Sequence, residues 1–251
     1  MEMQTVTAYP VVPDVPALIA YLGTVFGGTE KFRAIGSAGG YHAEVQIGDT
    51  GLMIGGGGTE VAWKGDARPM AFHIYVPDTD ATYQRALDAG GESLQVPTDQ
   101  EWGERTANVK DPAGNCWYIA TFKGENYFSD GAPTIQPYLQ PLRGEPVIDF
   151  LTGAFGATEL GRAATPDGLI LHTTVKMGNS SLELSDANGI YRPMPGTFYV
   201  YMEDADAVYG RALKSGAEST SAPADQSYGD RTCGVKDAAG NTWYIATRLS
   251  K

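Results

Sequence analysis

Two short loops place an aromatic ring next to a guanidinium: Trp102 and Arg105 in WGER, and Tyr228 and Arg231 in YGDR. Such a pair could close over a planar or anionic ligand. The competing reading is local bracing, with each Arg paired to Glu104 or Asp230, or to the Asp of the following VKD. The three histidines, His42, His73 and His172, are possible ligands or proton carriers, and His42 and His172 read as satisfied structural residues. Glu183 stands where the other half of the chain has Met53. Facing inward, it must be hydrated, paired or bound to a cation, and burial could make it a general base. Facing outward, it is a solvated surface residue.

Other chemistry is absent. Cys116 and Cys233 do not occupy equivalent positions and read as incidental thiols. The run IGGGGTE (54–60) lacks the Lys-Ser/Thr of a phosphate loop and the helix of a dinucleotide fingerprint. It reads as flexible backbone at a rim.

These residues recur because the chain is written twice. DQEWGERTANVKDPAGNCWYIAT (99–121) and DQSYGDRTCGVKDAAGNTWYIAT (225–247) agree at 16 of 23 positions, at an offset of 126. FHIYVPDTDATYQRAL (72–87) answers FYVYMEDADAVYGRAL (198–213) at the same offset, and 8–30 answers 137–159 at an offset of 129. A period this long means two copies of a module, not a solenoid of units of about 20–50 residues. The expected organisation is a first module over 1–124, a linker over 125–134 rich in Gly, Asp and Pro, and a second module over 135–251.

Each module divides again. Gln4–Val12 alternates like a strand. A helix then starts at Pro13-Asp14, carries Val15, Leu18, Ile19, Leu22 and Phe26 at helical spacing, and ends at Gly27-Gly28. YHAEVQI and GLMIG are strands joined by a turn at Gly48-Asp49, with a further strand at Phe32–Ile35. Asp78 caps a second helix that Gly90 closes, and a hairpin turns at Pro-Ala-Gly-Asn. Helices near Glu145–Phe155 and Asp204–Ser215 repeat the order. The unit is strand, helix, three strands, occurring four times. That is an α+β arrangement in which helices cover one face of curled, mixed sheets.

A formal charge of −12 over 251 residues argues against nucleic acid, and 42% hydrophobic with 19% charged residues describes a folded chain. No apolar run approaches the ~20 residues of a membrane helix, and MEMQTVTAYP has no signal-peptide pattern. A cytoplasmic protein, monomer or homodimer, with no membrane or nucleic-acid partner is expected.

The strings PYL before a helix ending AFGATE, PDG then LH, the doublet IGD/MGN, D-x-D-A-x-x-x-R-A-L, and YGDR with VKD-x-x-GN-x-W-Y-I-A-T resemble the vicinal oxygen chelate superfamily. This is the glyoxalase/bleomycin-resistance/dioxygenase superfamily, and the resemblance is to its PhnB-like branch. It implies four βαβββ units forming two glyoxalase/bleomycin-resistance-like modules with cup-shaped sheets. It also implies metal-ligand positions at Thr7, Met53, Ala71 and Tyr118 in module 1, and at Gln136, Glu183, Thr197 and Tyr244 in module 2. A divalent site wants three or four His, carboxylate or amide ligands. Neither set supplies them, so no metal and no cofactor are expected. A cross-module set of Gln136, Glu183 and His73 is the one alternative.

In the register the resemblance implies, module 1 turns Thr7, Tyr9, Met53, Ala71, His73, Tyr75 and Tyr118 inward. Module 2 turns Gln136, Tyr138, Gln140, Glu183, Thr197, Tyr199, Tyr201 and Tyr244 inward. Together with Trp102 and Tyr228, these are walls for a flat, partly polar organic molecule. The leading expectation is therefore a metal-free small-molecule binder that sequesters a toxic compound or antibiotic. The alternative is an enzyme of the same fold (lyase, isomerase or dioxygenase) using Glu183 as base or the cross-module metal. A structural or interaction module is the third reading.

Overall fold

Aspartates open three of the four helices. In the computed structural model, which describes residues 4–123, 133–189 and 191–249, the Oδ1 atoms of Asp14, Asp78 and Asp204 accept the amides of Ala17, Ala81 and Ala207 at 3.0, 3.0 and 2.9 Å. The fourth helix begins at Gly144, which has no side chain to cap with, and the carboxylate of Asp186 accepts its amide instead. Gly27 and Gly156, at φ of 69° and 70°, stop two of the helices in the left-handed conformation that glycine adopts without steric cost.

The elements run in four rounds. The first comprises β1 (Val6–Ala8), β2 (Val11–Val12), α1 (Val15–Phe26), β3 (Thr29–Ile35), β4 (Tyr41–Ile47) and β5 (Thr50–Gly56). The second comprises β6 (Ala71–Tyr75), α2 (Thr79–Asp88), β7 (Glu92–Asp99), β8 (Glu104–Lys110) and β9 (Cys116–Phe122). The third comprises β10 (Ile135–Leu139), α3 (Glu145–Phe155), β11 (Thr158–Ala164), β12 (Ile170–Met177) and β13 (Ser180–Leu184). The fourth comprises β14 (Thr197–Tyr201), α4 (Ala205–Lys214), β15 (Glu218–Asp225), β16 (Asp230–Lys236) and β17 (Thr242–Arg248). The strand–helix–three-strand grammar holds in each.

Contacts divide the chain into two compact units, Tyr9–Pro137 and Tyr138–Lys251 with Met1–Ala8. Residues 125–132 of the expected linker lie outside the described residues. In the first unit the strand orders are β2-β5-β4-β3 and β6-β9-β8-β7. In the second they are β1-β14-β17-β16-β15 and β10-β13-β12-β11. Each set mixes one parallel pair with antiparallel neighbours, for example β6 with β9 and β14 with β17.

Three local expectations change. The strand over Gln4–Val12 is two pieces, because Pro10 lacks an amide to continue a ladder. The buried stripe of α1 is Val15, Leu18, Tyr21, Leu22 and Val25, so Ile19 and Phe26 are only half-buried. The glycine run packs tightly instead of forming a loose rim. A Cβ on Gly56, at φ of 136°, would lie 1.8 Å from the Val12 carbonyl oxygen, and the Gly57 amide donates to that oxygen.

Both cysteines are free and buried, and burial pushes their thiols up, to about 11 for Cys116 and about 12 for Cys233. They are inert thiols at neutral pH.

Candidate functional site

Period-2 alternation gives each sheet an apolar side and a polar side. In the second unit, Phe198, Val200, Trp243 and Ile245 are fully buried on one side of β14 and β17, where α4 packs against β15–β17. Phe198 stacks on Trp243 at 4.4 Å. The opposite side carries the row Thr7–Tyr199–Tyr244, fixed by the pairings of β1 with β14 and of β14 with β17, and Tyr201 one step along. All three tyrosines are half-buried.

A single carboxylate organises these phenols. Asp230, 6% exposed, accepts the Tyr199 hydroxyl at 3.0 Å and the Tyr201 hydroxyl at 2.9 Å. Burial is the first cause pushing both phenols up, Tyr201 to about 12, and the carboxylate adds to it. The exposed Tyr228 hydrogen-bonds Tyr199, and the Arg248 guanidinium lies 5.5 Å from the Tyr201 ring centre.

The first unit repeats the device with different side chains. His73, Tyr118 and Asn108 form a row across β6, β9 and β8, with Tyr75 one step along and its ring 4.5 Å from that of His73. Glu104, 7% exposed, accepts the Tyr75 hydroxyl at 3.0 Å and the indole N–H of Trp102 at 2.8 Å. Trp102 is 65% exposed, so its ring is tethered but faces solvent.

The remaining two faces hold the other histidines. On β4 and β5, the Tyr9 hydroxyl lies 2.7 Å from His42 Nδ1, above Gly55. On β10, β13 and β12, Tyr138 pairs with Glu183 and Glu183 with Thr174, placing all three on one side with His172. Glu183 is 2% exposed, which removes the outward, solvated register. Its Oε2 lies 3.4 Å from Nε2 of His172, whose side chain is 47% exposed. The Tyr138 hydroxyl hydrogen-bonds Ser185, and burial, then Glu183, push that phenol up.

The expected residues thus fall on sheet faces in three groups within the second unit and the first. Tyr138 and Glu183 share one, Tyr199, Tyr201, Tyr228 and Tyr244 another, and His73, Tyr75, Trp102 and Tyr118 a third. Tyr9 stands with His42. Gln136 is buried in the first unit with His73, whereas Glu183 belongs to the second.

The loop arginines brace, but not with the expected acids. Arg105 pairs with Asp80 and Asp99, and Arg231 with Asp206 and Asp225. Glu104 and Asp230 are taken by phenols, and the Asp of VKD by its own hairpin. Sequence reasoning gave Glu104 and Asp230 to the arginines, not to the phenols, and passed over Ser185. Their signal was available: an inward tyrosine needs an acceptor, and both copies place an acid at the same step of the repeated loop.

A metal of the kind the fold family uses would find no carboxylate or imidazole on the row Thr7–Tyr199–Tyr244. The row Thr7–Tyr199–Tyr244 offers an alcohol and two phenols, and Ala71 and Met53 offer nothing. Among the described residues, no three His, Cys, Asp or Glu side chains are grouped to hold an ion. No helix there is long and apolar enough to cross a membrane.

The family model of the Glyoxalase/Bleomycin resistance protein/Dioxygenase superfamily matches residues 8–119. An uncharacterized protein of Mycobacterium tuberculosis is 31% identical over 134 residues, covering 49% of this chain and 79% of its own. One of Mycobacterium bovis is 33% identical over 124 residues, covering 45% and 82%. The crystal structure of glyoxalase I from Zea mays superposes with a TM-score of 0.73 at 15% identity, covering 96% of this chain and 91% of that one. A putative dioxygenase from Bacillus subtilis superposes at 0.63 with 14% identity, covering 97% and 84%. At such identities the structural likeness speaks for the fold alone. With its profile match, its relatives and its four strand–helix–three-strand rounds, the chain belongs to the glyoxalase/bleomycin resistance protein/dioxygenase superfamily.

Proposed function

We propose that the chain is a metal-free binding protein of the glyoxalase/bleomycin-resistance type, in its PhnB-like branch. It would take a flat, partly polar organic molecule on its tyrosine-lined faces. One observation carries the reading. Buried Glu104 and Asp230 hold the tyrosine hydroxyls, so the rings are fixed as platforms while Trp102 and Tyr228 stand exposed beside them. Fixed aromatic surfaces bind flat ligands at low entropic cost. Sequestering a toxic compound or antibiotic in the cytoplasm, as a monomer or homodimer, is the role this chemistry suits. Nucleic acid and membranes are poor partners for a chain of net charge −12.

The test is a thermal-shift screen of planar aromatic compounds with equilibrium dialysis against divalent cations. A ligand present at about 100 times its Kd should stabilise the native state by about 2.7 kcal/mol. Stoichiometric, tightly held metal, or no stabilisation by any planar compound, would overturn the reading.

Burial of Glu183 beside His172 favours one second reading, an enzyme of the same fold with Glu183 as general base. Glu183→Gln separates the two: a binder keeps most of its affinity, whereas a base catalyst loses turnover.

A further inference from the structure

The two halves of the chain carry the same Tyr–His pair in two different hydrogen-bonding states. In the first half, the Tyr9 hydroxyl is 2.7 Å from His42 Nδ1, and the Glu44 carboxylate lies 3.7 Å from Nε2. In the second half, the Glu183 carboxylate lies 3.4 Å from His172 Nε2. A carboxylate only accepts, so in the second copy, where it lies closer and buried, it favours the imidazole that carries its proton on Nε2. Nδ1 is then the acceptor. In the first copy it is occupied by the Tyr9 hydroxyl. In the second, the Tyr138 hydroxyl is engaged in a hydrogen bond with Ser185, and no hydrogen bond to His172 Nδ1 occurs among the described residues.

One substitution accounts for the rerouted hydroxyl. Ser185 stands where the first copy has Gly55. A Cβ at Gly55 would lie 3.0 Å from Cε2 of Tyr9, so only glycine leaves that ring its full room there. At 185 the serine fills the space and supplies a hydrogen-bond partner. A second substitution, Glu183 for Met53, buries the carboxylate behind the imidazole. The result is a half-exposed histidine, oriented from below, with its acceptor nitrogen released.

We propose that His172 Nδ1 is the polar contact of the β10–β13–β12 face, accepting a hydrogen bond from an O–H or N–H group on an aromatic ligand. Glu183 is the positioning residue behind it, and Ser185 the residue that frees it. The inference rests on the ligand-binding reading above. It adds that the face selects aromatic donors, phenols or ring N–H compounds, over the same rings without the donor.

The probes are 2-naphthol and 2-methoxynaphthalene, the same ring with and without the O–H, titrated against the full chain by fluorescence. The wild type should prefer 2-naphthol by about tenfold, the scale of one hydrogen bond. His172→Phe should abolish that preference and keep ring binding, and His42→Phe should leave it intact. Ser185→Gly, which restores the other copy's residue, should return the Tyr138 hydroxyl to His172 and also erase it. Glu183→Met, equally native to the fold, should weaken it, and Glu183→Asp should recover part of it. Equal affinity for the two probes, or a preference that survives both His172→Phe and Ser185→Gly, would overturn the inference and leave the binding reading standing. If neither probe binds the wild type, the binding reading fails and the inference with it.

Discussion

Replacing Asp237 by alanine should loosen the tyrosine face of the second unit without touching it. The Asp237 carboxylate, 4% exposed, accepts four hydrogen bonds, from the amides of Ala239 and Asn241 at 2.9 and 3.0 Å, from Asn241 Nδ2 at 2.9 Å and from Trp243 Nε1 at 3.0 Å. Asn241 passes the constraint on, since its Oδ1 accepts the Gly196 amide at 2.8 Å, tying the start of β14 to β17. That tie sets the register placing Tyr199 beside Tyr244. In Asp237→Ala the side-chain donors of Asn241 and Trp243 are buried without an acceptor, at about 1–3 kcal/mol each, while the loop amides can turn to water. Against this, burial holds the Asp237 carboxyl above the usual carboxylate range, so part of the loss is returned when the charge is removed. The expected cost is about 2–4 kcal/mol, a large share of the roughly 5–15 kcal/mol typical of a domain. Urea unfolding followed by circular dichroism and tryptophan fluorescence measures it. Asp237→Asn should recover only part, because its amide N–H groups face two of the four donors. A change below about 0.5 kcal/mol for Asp237→Ala would refute the account. Asp111, which accepts Ala113, Asn115 and Trp117 in the same pattern, provides the identical test in the first unit.

Two further outcomes follow from the phenol–carboxylate pairs. Burial raises Tyr199 and Tyr201, so in an ultraviolet titration these two of the 14 tyrosines, like the buried Tyr21 and Tyr138, should stay protonated when ordinary phenols, near pKa 10, have ionised. The sign for stability is fixed: the unfolded chain releases those protons first, so stability is fully present below about pH 10 and is lost as pH rises toward the folded values. Tyr199→Phe with Tyr201→Phe should flatten that slope, and an unchanged slope would count against the burial argument. In the first unit, Glu104→Ala should release the indole of Trp102 and raise its accessibility to a soluble fluorescence quencher. Quenching identical to wild type would show that Glu104 does not hold the ring.

Much of the scaffold was legible because its signals are local. An aspartate three residues before a donor amide, a glycine after a run of helical spacing, and a Pro-Ala-Gly-Asn turn each act within a few residues. Which residues share one side of a sheet was legible too, since alternation along a strand and its register with one partner decide it. Glu183 is buried on the same side as Tyr138 for that reason. What escaped the sequence depends on loops meeting strands. Arg105 reaches Asp80 across 25 positions instead of the neighbouring Glu104, because Glu104 is already drawn under the sheet by Tyr75 and Trp102. Spacing carries no record of that competition. His172 was read as structural for a related cause: its role depends on Ser185 diverting a hydroxyl, a difference of one atom group on a neighbouring strand.

The duplication turns the chain into its own control. Where both copies fold alike, residues that agree are those the fold needs, as Asp111 and Asp237 show by making the same four bonds. Differences then sort by their chemistry. Ala107 against Cys233 and Cys116 against Thr242 exchange small side chains, the kind of swap packing tolerates. Met53 against Glu183, Gly55 against Ser185 and His73 against Tyr199 change charge or hydrogen bonding, and all lie on the sides of the sheets away from the apolar core. A buried carboxylate introduced at 183 lowers stability unless something there uses it. Differences of charge and hydrogen bonding on the polar faces are what two surfaces with different contacts on one shared frame would show, and the second copy carries the directional acceptor proposed for His172.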